Sequence, residues 1–144
     1  MKNKFLKCEK GISLIALMVT IVILAILTGV AVNHIDMGTD IRNYNYMCAD
    51  IELLESKILA YYNEKGTIPK GNLIENPELG GQASDRDTGG NYYKIDINKL
   101  SNITLNYGGG KTEKDIYIVN EKSLEVYYLE GAVYQGTKYY TSFN

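Results

Sequence analysis

Asp85, Asp87 and Asp96 come nearest in spacing to metal chemistry. In Asp85-Arg86-Asp87-Thr88-Gly89-Gly90, followed by Asp96, positions one, three and six of a calcium loop are matched. Position five is Gly89, and the last ligand is an aspartate where a bidentate glutamate is needed. We read a flexible acidic loop and expect no cofactor; these three aspartates are the candidates for calcium. Gly110-Lys111-Thr112 has the ending of a phosphate-binding loop. Leu105 stands where that motif needs its first glycine, and a strand instead of a helix should follow, so it reads as a solvated turn. His34 is the only histidine and has no acid or cysteine partner in reach by sequence. Cys8 and Cys48 are the only cysteines, which implies no disulfide framework. Cys48 reads as a small core residue. No Ser/His/Asp or Cys/His set can be assembled from one histidine, so the chain reads as no enzyme.

The stretch that organises the chain is residues 12–32, ISLIALMVTIVILAILTGVAV, which carries no charge. As a helix at 1.5 Å per residue it would be roughly 31 Å long, about the hydrocarbon thickness of a bilayer. Its polar members, Ser13, Thr20 and Thr28, have hydroxyls able to bond within the helix. The segment is predicted to be membrane-inserted, with His34 at the interface. Before it, residues 1–11, MKNKFLKCEKG, place Lys2, Lys4, Lys7 and Lys10 against one acid, Glu9. Positive charge beside a membrane segment stays in the cytoplasm, which puts the C-terminal part outside. A secretory signal carries its cleavage site after the apolar run, and Asn33, His34, Ile35 and Asp36 make a poor one. Cys8 follows no apolar run, which excludes a lipoprotein anchor. The formal charge of −2 and the lack of a basic face exclude nucleic acid as the main partner. What remains is a basic leader ending in Gly11, placed before the apolar run.

Lys10-Gly11-Ile12-Ser13-Leu14-Ile15-Ala16-Leu17-Met18 resembles the processing signal of type IV prepilins and of the pseudopilins of type II secretion. The resemblance implies cleavage after Gly11 by a prepilin peptidase and methylation of the new amino group on Ile12. It implies as partners that peptidase, other pilin subunits in a homo- or hetero-filament, an inner-membrane assembly platform and the lipid bilayer. One position departs from the pattern: the glutamate usual five residues after the glycine is Ala16 here. In the family that carboxylate is thought to neutralise the methylated amine of a neighbouring subunit, since an amine in low dielectric needs a partner. Ala16 cannot supply it, which weakens a self-assembling major pilin more than a pilin-like protein. A second resemblance lies at Tyr62-Asn63-Glu64-Lys65-Gly66-Thr67-Ile68-Pro69, where pilins and pseudopilins often end their long helix.

These residues need elements to position them. We read residues 1–11 as a cleaved leader, 12–32 as a transmembrane and filament-core helix, 33–65 as its amphipathic continuation and 66–144 as a small β-rich head. From Ile41, apolar side chains recur at Tyr44, Cys48, Ile51, Leu54, Ile58 and Tyr61, spaced by three and four. Arg42, Asn43, Asp50, Glu52, Ser56 and Lys57 fall on the opposite face. Gly38 suggests a bend or brief break near Met37. Gly66 should end the helix, with Pro69 beyond. Residues 66–91, rich in Gly, Asn, Asp and Pro, read as a long surface connection. A short strand is predicted at residues 92–97 and a helical turn at 98–100. Residues 116–119 and 124–128 should form an antiparallel hairpin, and residues 132–134 or 138–142 an edge strand. Ten of the thirteen tyrosines lie from Tyr62 onward, several in pairs, and one of each pair should face inward. The expected fold class is α+β, pilin-like: a long N-terminal helix whose second half, residues 48–62, packs on a small antiparallel sheet.

The functional class that follows is structural: a subunit of a type IV pilus or pilus-like filament, made as a membrane-inserted precursor. The rivals are a pseudopilin of a secretion or DNA-uptake machine and an unprocessed single-pass membrane-anchored binding protein.

Overall fold

The computed structural model describes residues 13–142, and of residues 29–37 it describes the backbone but not the side chains. The leader 1–11, Ile12 and the side chain of His34 therefore lie outside the described residues. The chain divides into two compact units, the first ending at Asp36 and the second running from Met37 to Asn144. The long helix α1 is assigned over Leu14–Lys65. Of the bend or brief break expected near Met37, no break occurs: the helical pattern runs through Gly38, since a glycine can keep helical backbone geometry.

In the first unit the apolar side chains stand exposed all round the helix, from Leu14 and Ile15 to Ile26 and Leu27. Among the described residues, no helix is long and apolar enough to cross a membrane. The described side chains of the apolar run end at Thr28.

The second unit is built on the expected stripe. Met47, Ile51, Leu54 and Ile58 are fully buried, and Tyr44 nearly so. Side chains of this size each contribute about 1.5–3 kcal/mol on burial, so this face anchors the unit. Its centre is one position earlier than the sequence suggests: Met47 is buried, Cys48 only half so, and Ile41 is 43% exposed. The helix stops at Gly66, whose φ of +72° is left-handed and whose amide returns to the Tyr62 carbonyl at 2.8 Å.

Four strands form an antiparallel sheet in the order β1-β2-β3-β4: β1 (Lys70–Ile74), β2 (Tyr92–Ile95), β3 (Tyr117–Asn120) and β4 (Val126–Tyr128). The hairpin β3–β4 and the strand β2 lie where the sequence placed them, with a 3-10 turn at Ile97–Lys99 in place of residues 98–100. β1 corrects the reading of residues 66–91 as connection throughout. It is an exposed edge strand with a bulge between Lys70 and Leu73, so its pattern carries no buried alternation. Residues 132–134 and 138–142 are not alternative edges of this sheet. Ala132–Tyr134 (β5) and Thr137–Tyr139 (β6) pair with each other in a separate two-stranded sheet.

Both faces of the β3–β4 hairpin are buried. Tyr117, Val119, Val126 and Tyr128 pack with the helix stripe, while Ile116, Ile118 and Tyr127 form a second cluster with Leu79. The tyrosine pairs split between them. Tyr93, Tyr128 and Tyr139 join the helix-side core, and Tyr92, Tyr127 and Tyr140 join the other. The partner in each pair that should have faced solvent thus has a core of its own, because residues 74–79 and the chain end cover the far face.

Candidate functional site

At the N-terminal side, the described chain begins two residues beyond the Gly11–Ile12 junction, so cleavage and methylation there fall outside the described residues. Ser13 is the first described residue, and it caps α1. Its Oγ accepts the Ala16 amide at 3.2 Å, and its carbonyl accepts the Leu17 amide at 3.0 Å. Ser13-Leu14-Ile15-Ala16 is thus half a capping box: the serine serves the third helical amide, but Ala16 has no side chain to reach back. Further along, the Thr20 and Thr28 hydroxyls donate to the Ala16 and Leu24 carbonyls at 2.8 and 2.7 Å, which satisfies both within the helix.

The acidic loop is organised around one of its three candidates. Asp87 is buried, and its carboxylate accepts the hydroxyls of Tyr92 at 2.8 Å, Tyr127 at 2.7 Å and Ser123. Asp85 is exposed at the start of the 3-10 turn Asp85–Asp87, which Ser84 caps. Asp96 accepts the Asn98 amide and caps the turn Ile97–Lys99. Among the described residues, no three acidic, histidine or cysteine side chains converge as a metal site, so Asp85, Asp87 and Asp96 are not brought together.

The Gly108-Gly109-Gly110-Lys111 turn does bind an anion, but one of its own chain. The buried Asp115 carboxylate accepts the amides of Gly108 at 2.8 Å and Lys111 at 2.9 Å, and the Tyr128 hydroxyl at 2.7 Å. Burial pushes its carboxyl up, but the Tyr128 hydroxyl, the two amides and the Lys111 charge together outweigh that and hold it below the usual value. The amides a phosphate would need are already occupied.

Asp50 is the residue that sequence reasoning misplaced. Assigned to the polar face of α1, it is 2% exposed. Its carboxylate accepts the Asn106 amide and side chain, the Tyr107 amide at 2.9 Å and the Tyr117 hydroxyl at 2.6 Å. Three buried aspartates, 50, 87 and 115, therefore take the hydroxyls of four tyrosines. Those hydroxyls titrate high, first from burial and then from the adjacent carboxylates; Tyr92 is pushed up to about 12, and Tyr117, Tyr127 and Tyr128 further. The signal available in sequence was the excess of tyrosine over phenylalanine, thirteen to two, since a buried phenol needs a partner.

An open cleft of about 760 Å³ lies between the second unit's part of α1 and the 103–112 loop, lined by Asp40, Ile103, Tyr107, Lys111, Glu130 and Val133 among others. Thr112 and Glu130 are among its lining residues, the Thr112 hydroxyl donating to the Glu130 carboxylate at 3.3 Å. What the described geometry offers is a folded head with satisfied buried polar side chains and an apolar helix.

No curated protein matches the chain, and no solved structure does. Residues 6–32 match a family model, the prokaryotic N-terminal methylation motif. The chain therefore carries, at its basic leader and the start of its apolar helix, the processing signal of type IV prepilins and pseudopilins.

Proposed function

We propose that this protein is a type IV pilin-like subunit, made as a membrane-inserted precursor. The carrying observation is the methylation motif over residues 6–32, set on a leader, glycine and uncharged run in that order. The leader stays in the cytoplasm, residues 12–32 span the bilayer and the head lies outside. A prepilin peptidase cuts after Gly11, and the new amine on Ile12 is methylated. Cutting removes four lysines and one glutamate and takes the formal charge from −2 to −5.

The exposed apolar helix then exchanges lipid for the helices of other subunits. Both surroundings are apolar, so packing decides assembly, and Ala16 and Ala25 allow close approach. The assembly platform of the inner membrane drives the transfer, and the head decorates the filament with a pilin-like α+β fold. Ala16 favours a second reading within the class, a minor subunit or a pseudopilin of a secretion or DNA-uptake machine, because its own chain lacks the acid that pairs with a buried amine.

Intact-mass and peptide mass spectrometry of the protein from its native cells tests this. The expected result is a mature chain starting at Ile12 and carrying one methyl group. A chain that keeps Met1 to Gly11 throughout supports the unprocessed membrane-anchored binder instead.

A further inference from the structure

We propose that the open cleft of the head is a docking slot for an extended, basic polypeptide segment, which pairs as a strand with residues 103–105. The inference concerns the second unit alone and does not rest on leader removal. Burial alternates along residues 103–106, with Ile103 and Leu105 half-buried and Thr104 and Asn106 exposed, the period of an extended strand. Ile103 and Leu105 line the cleft and pack on the core behind it. The Asn106 and Tyr107 amides are fixed by the buried Asp50 carboxylate, so the segment is held from its C-terminal end. Among the described residues, none makes a hydrogen bond to the backbone of residues 103–105. A strand-like segment that is held in place, with its amides and carbonyls unpaired, is an edge that an added strand completes.

The lining selects the partner's chemistry. Ile97, Ile103, Leu105 and the exposed Val133 offer apolar contact. Two carboxylates stand among them without a cation. Among the described residues, the Asp40 side chain makes no ion pair or hydrogen bond, and Glu130 accepts only the neutral hydroxyls of Thr112 at 3.3 Å and Tyr128 at 3.2 Å. Lys111 is the one cation in the lining, and its charge acts on the buried Asp115 carboxylate. A segment that alternates apolar and basic residues answers all three features. Its backbone pairs with residues 103–105, its apolar side chains leave water for the apolar lining, and its cations meet Asp40 and Glu130. In this mode backbone pairing supplies affinity and the alternate side chains supply specificity.

The test is binding of fluorescein-labelled, end-blocked Lys-Val-Lys-Val-Lys to the full chain in non-ionic detergent, read by anisotropy. Two further probes are Glu-Val-Glu-Val-Glu and Lys-Pro-Lys-Pro-Lys, the second keeping the charge but lacking the amides that a strand donates. The lysine–valine peptide should bind, and the other two should not. The paired substitution Asp40→Asn with Glu130→Gln should weaken binding about tenfold, the worth of two exposed ion pairs. Glu64→Gln with Glu75→Gln, the same change of charge at exposed positions outside the cleft, should leave binding as it is. Hydrogen exchange of the amides at residues 103–105 should slow when the peptide is bound. No binding of the lysine–valine peptide, or equal binding of the proline peptide, would overturn the inference. So would equal losses in the two paired variants, or exchange at 103–105 that the peptide does not change. If the chain alone self-associates in sedimentation and the Asp40→Asn, Glu130→Gln variant does not, the occupant is a second copy and the inference falls.

Discussion

The Asp50 carboxylate and the Tyr117 hydroxyl lie 2.6 Å apart, joining the buried face of α1 to the inner strand β3. The same carboxylate holds the backbone of the 106–107 loop, so one helix residue fixes helix, strand and loop together. A carboxylate with several donors is tolerated in a core; donors that lose their acceptor are not. Asp50→Ala should therefore cost about 3 kcal/mol or more of stability, and Tyr117→Phe, which removes one bond to a charged group, about 1.5–3 kcal/mol. Urea denaturation of the full chain in detergent, followed by tyrosine fluorescence, reads both. A loss at Asp50→Ala within about 0.5 kcal/mol, the range of ordinary surface substitutions, would show that the pin carries no weight.

Two carboxyls give the head opposite pH dependences. Asp115 is held below its usual value, so it stabilises the fold at any pH above the unfolded value near 3.9, and that contribution is lost as pH falls through its folded value. Glu55 is pushed up, first by burial and then by Glu125 and Glu52, against the Val126 amide that lowers it. Its ionised form is the disfavoured one in the fold, so its contribution is best at low pH and is lost as pH rises through the folded value. Asp115→Asn should destabilise at pH 7 and far less at pH 3. Glu55→Gln, which can still accept the Val126 amide, should stabilise at pH 7 and do little at pH 3. Paired melts at the two pH values decide it; changes of the same sign at pH 7 would contradict the reading.

Much of the fold is legible in sequence wherever burial imposes a period. Ile51, Leu54 and Ile58 repeat at helical spacing because one face meets a sheet. The β3–β4 hairpin is legible from alternation on either side of Asn120-Glu121-Lys122-Ser123. β1 is not, because Lys70, Gly71 and Asn72 lie on an exposed, bulged edge where no face selects apolar residues. Asp50 is not, because a charged residue at one helix position looks the same whether water or four donors surround it. The proposed processing site is the reverse case. Gly11 and Ile12 come from the resemblance of residues 10–18 to prepilin signals, and both lie outside the described residues.

Gly90 sits where any side chain must displace the β3–β4 turn. A Cβ there would stand 2.8 Å from Lys122 Cβ and closer still to the Asn120 side chain, whose Oδ1 accepts the Lys122 and Ser123 amides. Gly90→Ala should cost about 1–3 kcal/mol, the range for overpacking a filled site. Gly66 offers the contrast, since a Cβ would meet open space and only its φ of +72° resists substitution. Gly66→Ala should cost about 1 kcal/mol. Chemical denaturation ranks the two, and equal costs would mean that the contact at Gly90 relaxes freely.

Chelation tests the acidic loop. The Asp87 carboxylate is already met by Tyr92, Tyr127 and Ser123, and Asp96 is engaged in capping its own turn. A cation would have to break those bonds to gain a ligand. The melting temperature of the full chain should be the same with excess calcium and with excess chelator. A rise of several degrees in calcium would mean that the loop rearranges around the ion, because a ligand binding only the folded state stabilises it by mass action.

Gly11 supplies the sharpest test of the processing signal over residues 6–32. A glycine before the cut bond lets backbone approach closely with no Cβ in the way, and valine puts a branched side chain there. Gly11→Val should leave the leader attached. The uncut chain keeps Lys2, Lys4, Lys7, Lys10 and Glu9, so its formal charge stays at −2 and it focuses at a higher pH than a chain starting at Ile12, whose formal charge is −5. It should remain in the membrane fraction and be missing from any sheared extracellular material. Both readouts are needed, since a misfolded variant would also be missing from filaments but would be degraded in place of accumulating at full length. Filaments of normal length containing uncut Gly11→Val protein would separate assembly from cleavage and remove the basis for reading this chain as a processed subunit.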